Sequence, residues 1–484
     1  MRKFEDLFIA IDATLSGQNQ LPKYYYKKNE IEAIENYRNA KLISSKTKLK
    51  WPLLNKLYNS MLYSRLPHKK YSSYQRQIVL LVKQIAIAKI LMALHARSSA
   101  VHLFENIYRK SKKLHFHEGV IESARKLFLY ESGYRGNLNK AKSYYEDCTV
   151  SHEIMSNEMK AEWYVSELAH HFSATKEIPI EILKKSKHFL DDLKRVQEIY
   201  RSSRFLKFYS TLGILYYEAS YDYNALCIFL KQNIKAIAEQ FPDAVSDLNT
   251  LKIYLIHYNL RINNLKEAAN LIEKILQSIV VDATNWFRVQ ELRSLLLLRQ
   301  RKKKEGLDLL LSLRENIYFS ALQNEIKLRI ELLYYYGLIY YALSLPSKEA
   351  IEYLKGAKFQ KFLNSVPAFN KDKKAMNIAI IIVQLLYFVL IKDYDKILEK
   401  RDAVKKYMSR YMKKDPLFRS HSFIKLLIEV QKQNFHPVAI KRHASKYREN
   451  LNQVPFLSSK HPIELELIEY EYLWDDLMTY LIKM

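Results

Sequence analysis

Glycine and proline are scarce, at 8 and 11 residues in a chain of 484. Tight turns between strands lean on both, so β-sandwiches, barrels and most α/β sheets are excluded as the main architecture. Long helices joined by short polar turns need few of either, and the chain reads as all-α. Cysteine is scarcer still. Cys148 and Cys227 cannot build a disulfide framework, so a reducing, cytoplasmic setting is expected. Met1-Arg2-Lys3 begins like a secretion signal, but Glu5, Asp6 and Asp12 break its apolar stretch, and an amphipathic first helix is expected instead. Long apolar runs are lacking too. The longest, Ala375 to Ile391, has 17 residues and carries Asn377 and Gln384 on one helical stripe. A bilayer crossing needs about 20, so a buried helix and no membrane span are expected.

The residues of catalysis are equally sparse. Gly133-Tyr134-Arg135-Gly136 is the nearest approach to a phosphate-cradling loop and reads as a turn between helices. His115-Phe116-His117-Glu118 and His170-His171 are the dense histidine groups. Neither has the i, i+4 histidine pair that zinc hydrolases use, so surface or capping roles are expected. Asp191-Asp192 and Asp475-Asp476 lie side by side and cannot converge on one substrate atom. Cys148 and Cys227 fall at apolar positions, as inert core thiols do. No catalytic residue, cofactor or metal ligand is assigned, and a non-enzymatic role is expected.

What the chain has in quantity is apolar surface and positive charge. Hydrophobic residues make up 49%, enough for a substantial core, and 78 Lys+Arg against 51 Asp+Glu give a net charge of +27. The charge is spread along the chain, so it reads first as a solvated surface. Its second reading is attraction to nucleic acid, an anionic membrane or an acidic protein. Two basic stretches stand out. Arg299-Gln300-Arg301-Lys302-Lys303-Lys304 falls at a turn, and the stretch from Lys405 to Lys414 places Tyr407 and Tyr411 one helical turn apart.

The informative pattern is internal repetition. Around Leu212-Gly213 lie Tyr216, Ala225 and Phe229; a second copy has Tyr336-Gly337, Tyr340, Ala350, Leu354 and Ala357, with Pro346 opening its second helix. Weaker copies place Ala88, Leu91, Ala100, Phe104 and Ile107; Ala141, Tyr145 and Cys148; Ala268, Ile272 and Ile275; and Gly306, Leu310 and Leu313. The second-helix small residues Ala100, Ala141, Ala225, Ala268, Gly306 and Ala350 are spaced by 41, 84, 43, 38 and 44. The interval of 84 is twice 42 and leaves room for one more unit near Leu183. Small residues let two helices approach closely, while large ones at helical spacing fill the space beside them.

This pattern resembles the tetratricopeptide-repeat family, although its interval exceeds the family's usual length of about 34 residues. The resemblance is fullest in two units and covers residues 80 to 360 well. It implies a right-handed superhelical solenoid of antiparallel helix pairs, with the first helix of each pair lining a concave face. Residues 71–455 are then repeats. Residues 1–70, broken by Leu21-Pro22, Trp51-Pro52 and Leu66-Pro67, are an atypical helical cap. Residues 456–484 are an acidic capping helix, running from Ile463 to Ile482 with its carboxylates in solvent. The family's concave-face offsets fall on Lys126, Tyr130 and Tyr134; on Lys207 and Tyr217; on His257 and Arg261; on Arg288, Glu291 and Arg299; and on Tyr334 and Tyr341. Basic and aromatic residues predominate there, which suits an extended acidic peptide, a chain-terminal carboxylate or a nucleic-acid backbone. The expected function is a cytoplasmic protein–protein scaffold or adaptor; the alternative is a nucleic-acid-associated helical-repeat protein.

Overall fold

The computed structural model describes residues 73–174, 179–200, 202–242, 244–356, 359–365, 374–393, 395–396, 404, 406, 408, 418–454, 456 and 466–483. Among the described residues there are eighteen α-helices, one short 3-10 turn and no strand. The expected cap over residues 1–70, the Tyr407 and Tyr411 pair, Ala357 and Glu464 lie outside the described residues.

The chain divides into two compact units, Met1–Tyr145 and Glu146–Met484. The first holds α1 (Ser73–Ala93), α2 (Arg97–Lys113) and α3 (His117–Gly133), and α4 (Leu138–Ala174) begins in it. The second continues with α5 (Ile180–Ile199), α6 (Ser203–Ser220), α7 (Tyr223–Gln240), α8 (Val245–Arg261), α9 (Leu265–Leu276), α10 (Thr284–Arg299) and α11 (Lys303–Glu315). It closes with α12 (Asn324–Ala342), α13 (Ser347–Gly356), α14 (Phe359–Ser365), α15 (Lys374–Leu390), α16 (Phe418–Lys432), α17 (Pro437–Gln453) and α18 (Tyr470–Ile482). From α5 to α13 each helix packs on the next in sequence, and α6, α8, α10 and α12 also pack on one another as a row.

One turn recurs between helices. His95, His115, Tyr221, Asn263 and Arg301 each have φ between 52° and 62°, and in each case the next helix starts two residues later. The following residue, at Ala96, Phe116, Asp222, Asn264 and Lys302, has φ between −78° and −96° and ψ between 58° and 84°. Its N–H donates to the carbonyl five residues back, as in Asn264 to Asn259 at 2.8 Å and Lys302 to Leu297 at 2.9 Å. This satisfies the carbonyls a helix end leaves orphaned. Glycine normally takes the left-handed position; here larger residues do, at roughly 1–2 kcal/mol each. The chain therefore makes many helix ends with few glycines. Tyr221, Asn263 and Arg301 follow one another at 42 and 38 residues, the interval read from the alanines.

Helix starts are as local. Ser202 accepts from the Phe205 N–H at 3.0 Å and Asp222 from Ala225 at 3.0 Å, caps worth about 1 kcal/mol each. Helix α9 buries Ala268, Ile272 and Ile275, a stripe at i, i+4 and i+7. Burying such an isoleucine contributes about 1.5–3 kcal/mol. Helix α12 is buried nearly all round from Leu332 to Tyr340, and α15 is buried in the same way from Asn377 to Val383. Among the described residues no helix is long and apolar enough to cross a membrane.

The recurring small residues face inward. Ala88, Ala100, Ala268 and Ala350 are fully buried and Ala141 nearly so; Gly213, Gly306 and Gly337 are buried as well, while Ala225 is half-buried. At Gly213 the missing side chain leaves room for a ring, since a Cβ built there would lie 2.1 Å from Phe229 Cε1. Cys148 and Cys227 are both buried.

The chain's end differs from expectation. The helix begins at Tyr470, and it buries Tyr470, Leu473, Trp474, Leu477, Tyr480 and Leu481. Glu466 lies before the helix and is 1% exposed, not solvated. Its burial is sustained by an arginine that the sequence pattern did not flag, Arg419.

Candidate functional site: an arginine-lined inner row

The row α6, α8, α10 and α12 carries Lys207, Tyr217, His257, Arg261, Arg288, Arg299, Tyr334 and Tyr341. His257 and Arg261 are four apart on α8, so both side chains lie on one face. Arg288 and Arg299 are eleven apart on α10, three turns along, and again share a face.

Arg299 ties three elements together. It donates to Leu260 O at 2.6 Å, to Leu467 O at 3.1 Å and to Glu466 O at 3.2 Å. All three acceptors are neutral carbonyls, and the guanidinium lies 4.8 Å from the Phe456 ring centroid. Burial lowers its pKa to about 10, against the pull of Glu466. Arg261 is 3% exposed, with Tyr223 at 4.9 Å and Phe456 at 5.7 Å from its guanidinium. Its pKa is also lowered by burial. Cation–ring contacts in such dry surroundings stabilise by up to about 2 kcal/mol.

Farther along α10, Glu291 gathers two more cations. Its Oε1 accepts from Arg288 Nη1 at 2.5 Å and lies 3.5 Å from Arg329 Nε on α12. Arg329 also reaches Glu325 at 3.7 Å. Burial first, and then the charges of Arg288, Arg299, Arg329 and Arg261, hold the His257 imidazole well below its ordinary pKa of 6.5. The ring is therefore neutral at physiological pH, and among the described residues its Nδ1 is out of water with no hydrogen bond.

The irregular segment Glu466–Glu469 lies on this surface, clamped by Arg419. Arg419 is fully buried and donates to Glu466 Oε2 at 2.9 Å and Oε1 at 2.6 Å. It donates to Glu471 Oε1 at 2.9 Å and Oε2 at 2.6 Å, and to Leu451 O and Val454 O. Burial raises the Glu466 pKa, while its bonds from Arg419 and the Tyr470 N–H oppose the rise.

The remaining expected residues are spread out. Lys207 pairs with Asp247 at 3.0 Å. Tyr334 is buried under Arg314, 3.9 Å from its ring, and Tyr341 has Lys304 at 5.2 Å. Tyr217 lines a separate cleft of about 360 Å³ between α5, α6 and α7, with Lys187, Asp191, Lys194, Tyr209 and Phe229. Its acid, Asp191, is paired with Lys187 at 3.0 Å, and burial pushes the Tyr209 hydroxyl up to about 12. Lys126, Tyr130 and Tyr134 belong to the first unit, where the two tyrosines stack at 5.6 Å with Arg135 and Arg97 against them. Among the described residues no group of three His, Cys, Asp or Glu could hold a metal ion.

Arg329 and Arg419 escaped the sequence reading. Arg329 lies eight residues before Gly337, outside the offsets that the family resemblance supplies. Arg419 lies at the start of α16, and a lone arginine ahead of the apolar residues Phe423, Ile424, Leu426 and Leu427 is its one sequence signal. In comparison with known proteins, the chain matches no family model and no curated protein.

Proposed function

We propose that this protein is a non-enzymatic, tetratricopeptide-like scaffold that binds an extended segment of a partner protein along the row α6–α8–α10–α12. In this reading the helices form a right-handed superhelical solenoid of antiparallel pairs, and the row is its concave face. Support comes from the turn repeating at 42 and 38 residues, from buried small residues at the helix contacts, and from alternate helices touching one another.

The observation that carries the functional reading is Arg299. It holds a non-helical stretch of the chain by that stretch's backbone carbonyls, at Glu466 and Leu467. Recognition through main-chain groups is how a surface accepts an extended peptide with little regard for sequence. The same row offers Lys207, Arg288 and Tyr341 farther along.

A nucleic-acid role is less well supported, because stacking needs free ring faces. Tyr334 is buried against Arg314, Tyr341 is engaged by Lys304, and Tyr216 has Lys187 at 5.5 Å.

The test is a peptide array probed with the full chain, followed by titration of the strongest acidic peptide and of a single-stranded oligonucleotide. Peptide binding should weaken when Lys207 and Tyr341 are replaced by Ala, and should change modestly with salt. Nucleic-acid binding that falls by about 10³ between low and moderate salt, with no peptide bound, would replace this reading by the alternative.

A further inference from the structure

Helices α5 and α7 both pack on α6, and the cleft of about 360 Å³ opens where the three meet. One face of α6 forms its floor, with Tyr209, Gly213 and Tyr217 following at four-residue spacing. The Phe229 ring of α7 fills the place of the missing Gly213 side chain. It stands 5.2 Å from the Tyr209 ring and 5.5 Å from the Tyr217 ring. Three rings thus line one small concavity, together with the buried Leu190 and Leu206.

The polar groups of this cleft are unevenly used. Its charged lining is Lys187, Asp191 and Lys194, which share one stripe of α5. Lys187 and Asp191 pair at 3.0 Å, and Lys187 also covers the Tyr216 ring at 5.5 Å. Lys194 is exposed and makes no ion pair or hydrogen bond among the described residues, which leaves the lining one positive charge in excess. Tyr209 is 4% exposed, yet among the described residues its hydroxyl makes no hydrogen bond. Buried polar groups are nearly always bonded, so this hydroxyl is a donor that a ligand would engage. Sites for small molecules join an apolar, aromatic wall to a few placed polar groups. A cavity of about 150 Å³ holds benzene, so this cleft has room for such a ring and a short arm bearing one anionic group.

We infer that this cleft binds a small aromatic carboxylate, its ring against Tyr209, Tyr217 and Phe229 and its anionic end paired with Lys194. A single excess charge matches a monoanion, and the three rings offer edges and faces to one more. The inference does not rest on the scaffold reading, because α5, α6 and α7 alone line the cleft and α8, α10 and α12 contribute nothing to it.

The probe is para-fluorophenylacetate, added to the full chain at pH 7.5 and constant ionic strength and followed by fluorine nuclear magnetic resonance. Saturable binding with a Kd on the order of 0.1–1 mM is expected for a ligand of this size. The uncharged para-fluorophenylethanol should bind about threefold to fivefold more weakly, the effect of one exposed ion pair. Lys194→Gln should bring the acid down to the level of the alcohol and leave the alcohol unchanged. Tyr209→Phe should weaken the acid by about twofold to tenfold. Ala236→Phe fills the cleft from α7 and should abolish binding of both, whereas Lys235→Gln, an exposed residue on the same helix, should change neither. Because Ala236→Phe could disturb folding, the exposed Lys194 keeps the test decisive. If the acid does not saturate, or binds the Lys194→Gln chain as tightly as wild type, the inference is wrong, whatever the peptide array reports.

Discussion

Replacing Arg419 by Met removes the cation that binds the Glu466 and Glu471 carboxylates. The guanidinium is fully buried and donates six hydrogen bonds, four to carboxylate oxygens and two to carbonyls. Met fills comparable volume, so the loss is one of charge and hydrogen bonding, not of packing. Removing one partner of a buried ion pair costs about 3–5 kcal/mol, because the other charge stays buried alone. At about 2 °C per kcal/mol for a chain of this size, Tm should drop by roughly 6–10 °C. The sign of the pH effect follows from Glu466, whose carboxyl is raised by burial. A group raised in the folded state stabilises fully below its unfolded pKa and loses that contribution as pH rises through the folded pKa. Without Arg419 the folded pKa climbs further, so the loss extends to higher pH. The gap between variant and wild type should therefore be smaller at pH 5 than at pH 7.5. Adding Glu466→Gln to Arg419→Met should recover part of the deficit at pH 7.5, since it removes the stranded charge. The assay is urea or thermal denaturation followed by near-ultraviolet circular dichroism at both pH values. A variant within 1 kcal/mol of wild type, or a double variant less stable than the single, would refute the reasoning.

Other outcomes can be stated briefly. Gly213→Ala forces a Cβ to within 2.1 Å of Phe229, so it should destabilise by about 1–3 kcal/mol through overpacking; Gly213→Ala combined with Phe229→Leu should lose less, as denaturation midpoints would reveal. Lys392 is exposed with φ 59°, so Lys392→Gly should stabilise by about 0.5–1 kcal/mol through relief of strain, and a lower Tm would count against that account. Burial pushes the Cys227 thiol up to about 11. It should therefore resist iodoacetamide at pH 8 in the folded chain and react once urea unfolds it, as mass spectrometry of the labelled peptide can show.

The helical class was legible because it depends on composition and period, and both survive one-residue errors of register. The interval was legible for the same reason: Ala100, Ala268 and Ala350 mark it in the sequence, and all three are fully buried. The turns were not. A left-handed residue is normally read from glycine or asparagine, yet His95, His115, Tyr221 and Arg301 hold that conformation here. Of the expected site residues, His257, Arg261, Arg288 and Arg299 form one electrostatic group, the arginine charges acting on the imidazole. Arg329 completes it from a neighbouring helix at an offset no repeat rule supplies. Arg419 and Glu466 stand 47 residues apart, and nothing local to either announces the other. At the chain's end the expectation of solvated carboxylates failed at Glu466 on the same point, because a carboxylate reads as exposed until its distant partner is known, whereas Asp475 is exposed.

That partnership bears on why the chain buries arginines at all. Three guanidiniums, Arg261, Arg299 and Arg419, are 3%, 8% and 0% exposed in a core otherwise built from Leu, Ile and Tyr. Well-packed apolar residues of similar volume commonly serve stability as well or better, so stability alone is a poor reason for them. What an apolar replacement cannot do is choose a register. Arg419 donates to one pair of carboxylates, and Arg299 donates to the carbonyls of two adjacent residues, so the Glu466–Glu471 stretch can settle in one alignment and no other. On this view the arginines specify where an irregular segment lies across the row. The Arg419→Met, Glu466→Gln chain bears on the point directly: its regained stability should come without the wild-type hydrogen-exchange protection at Leu467 and Ile468. Protection recovered along with stability would mean that packing, not charge, sets the alignment.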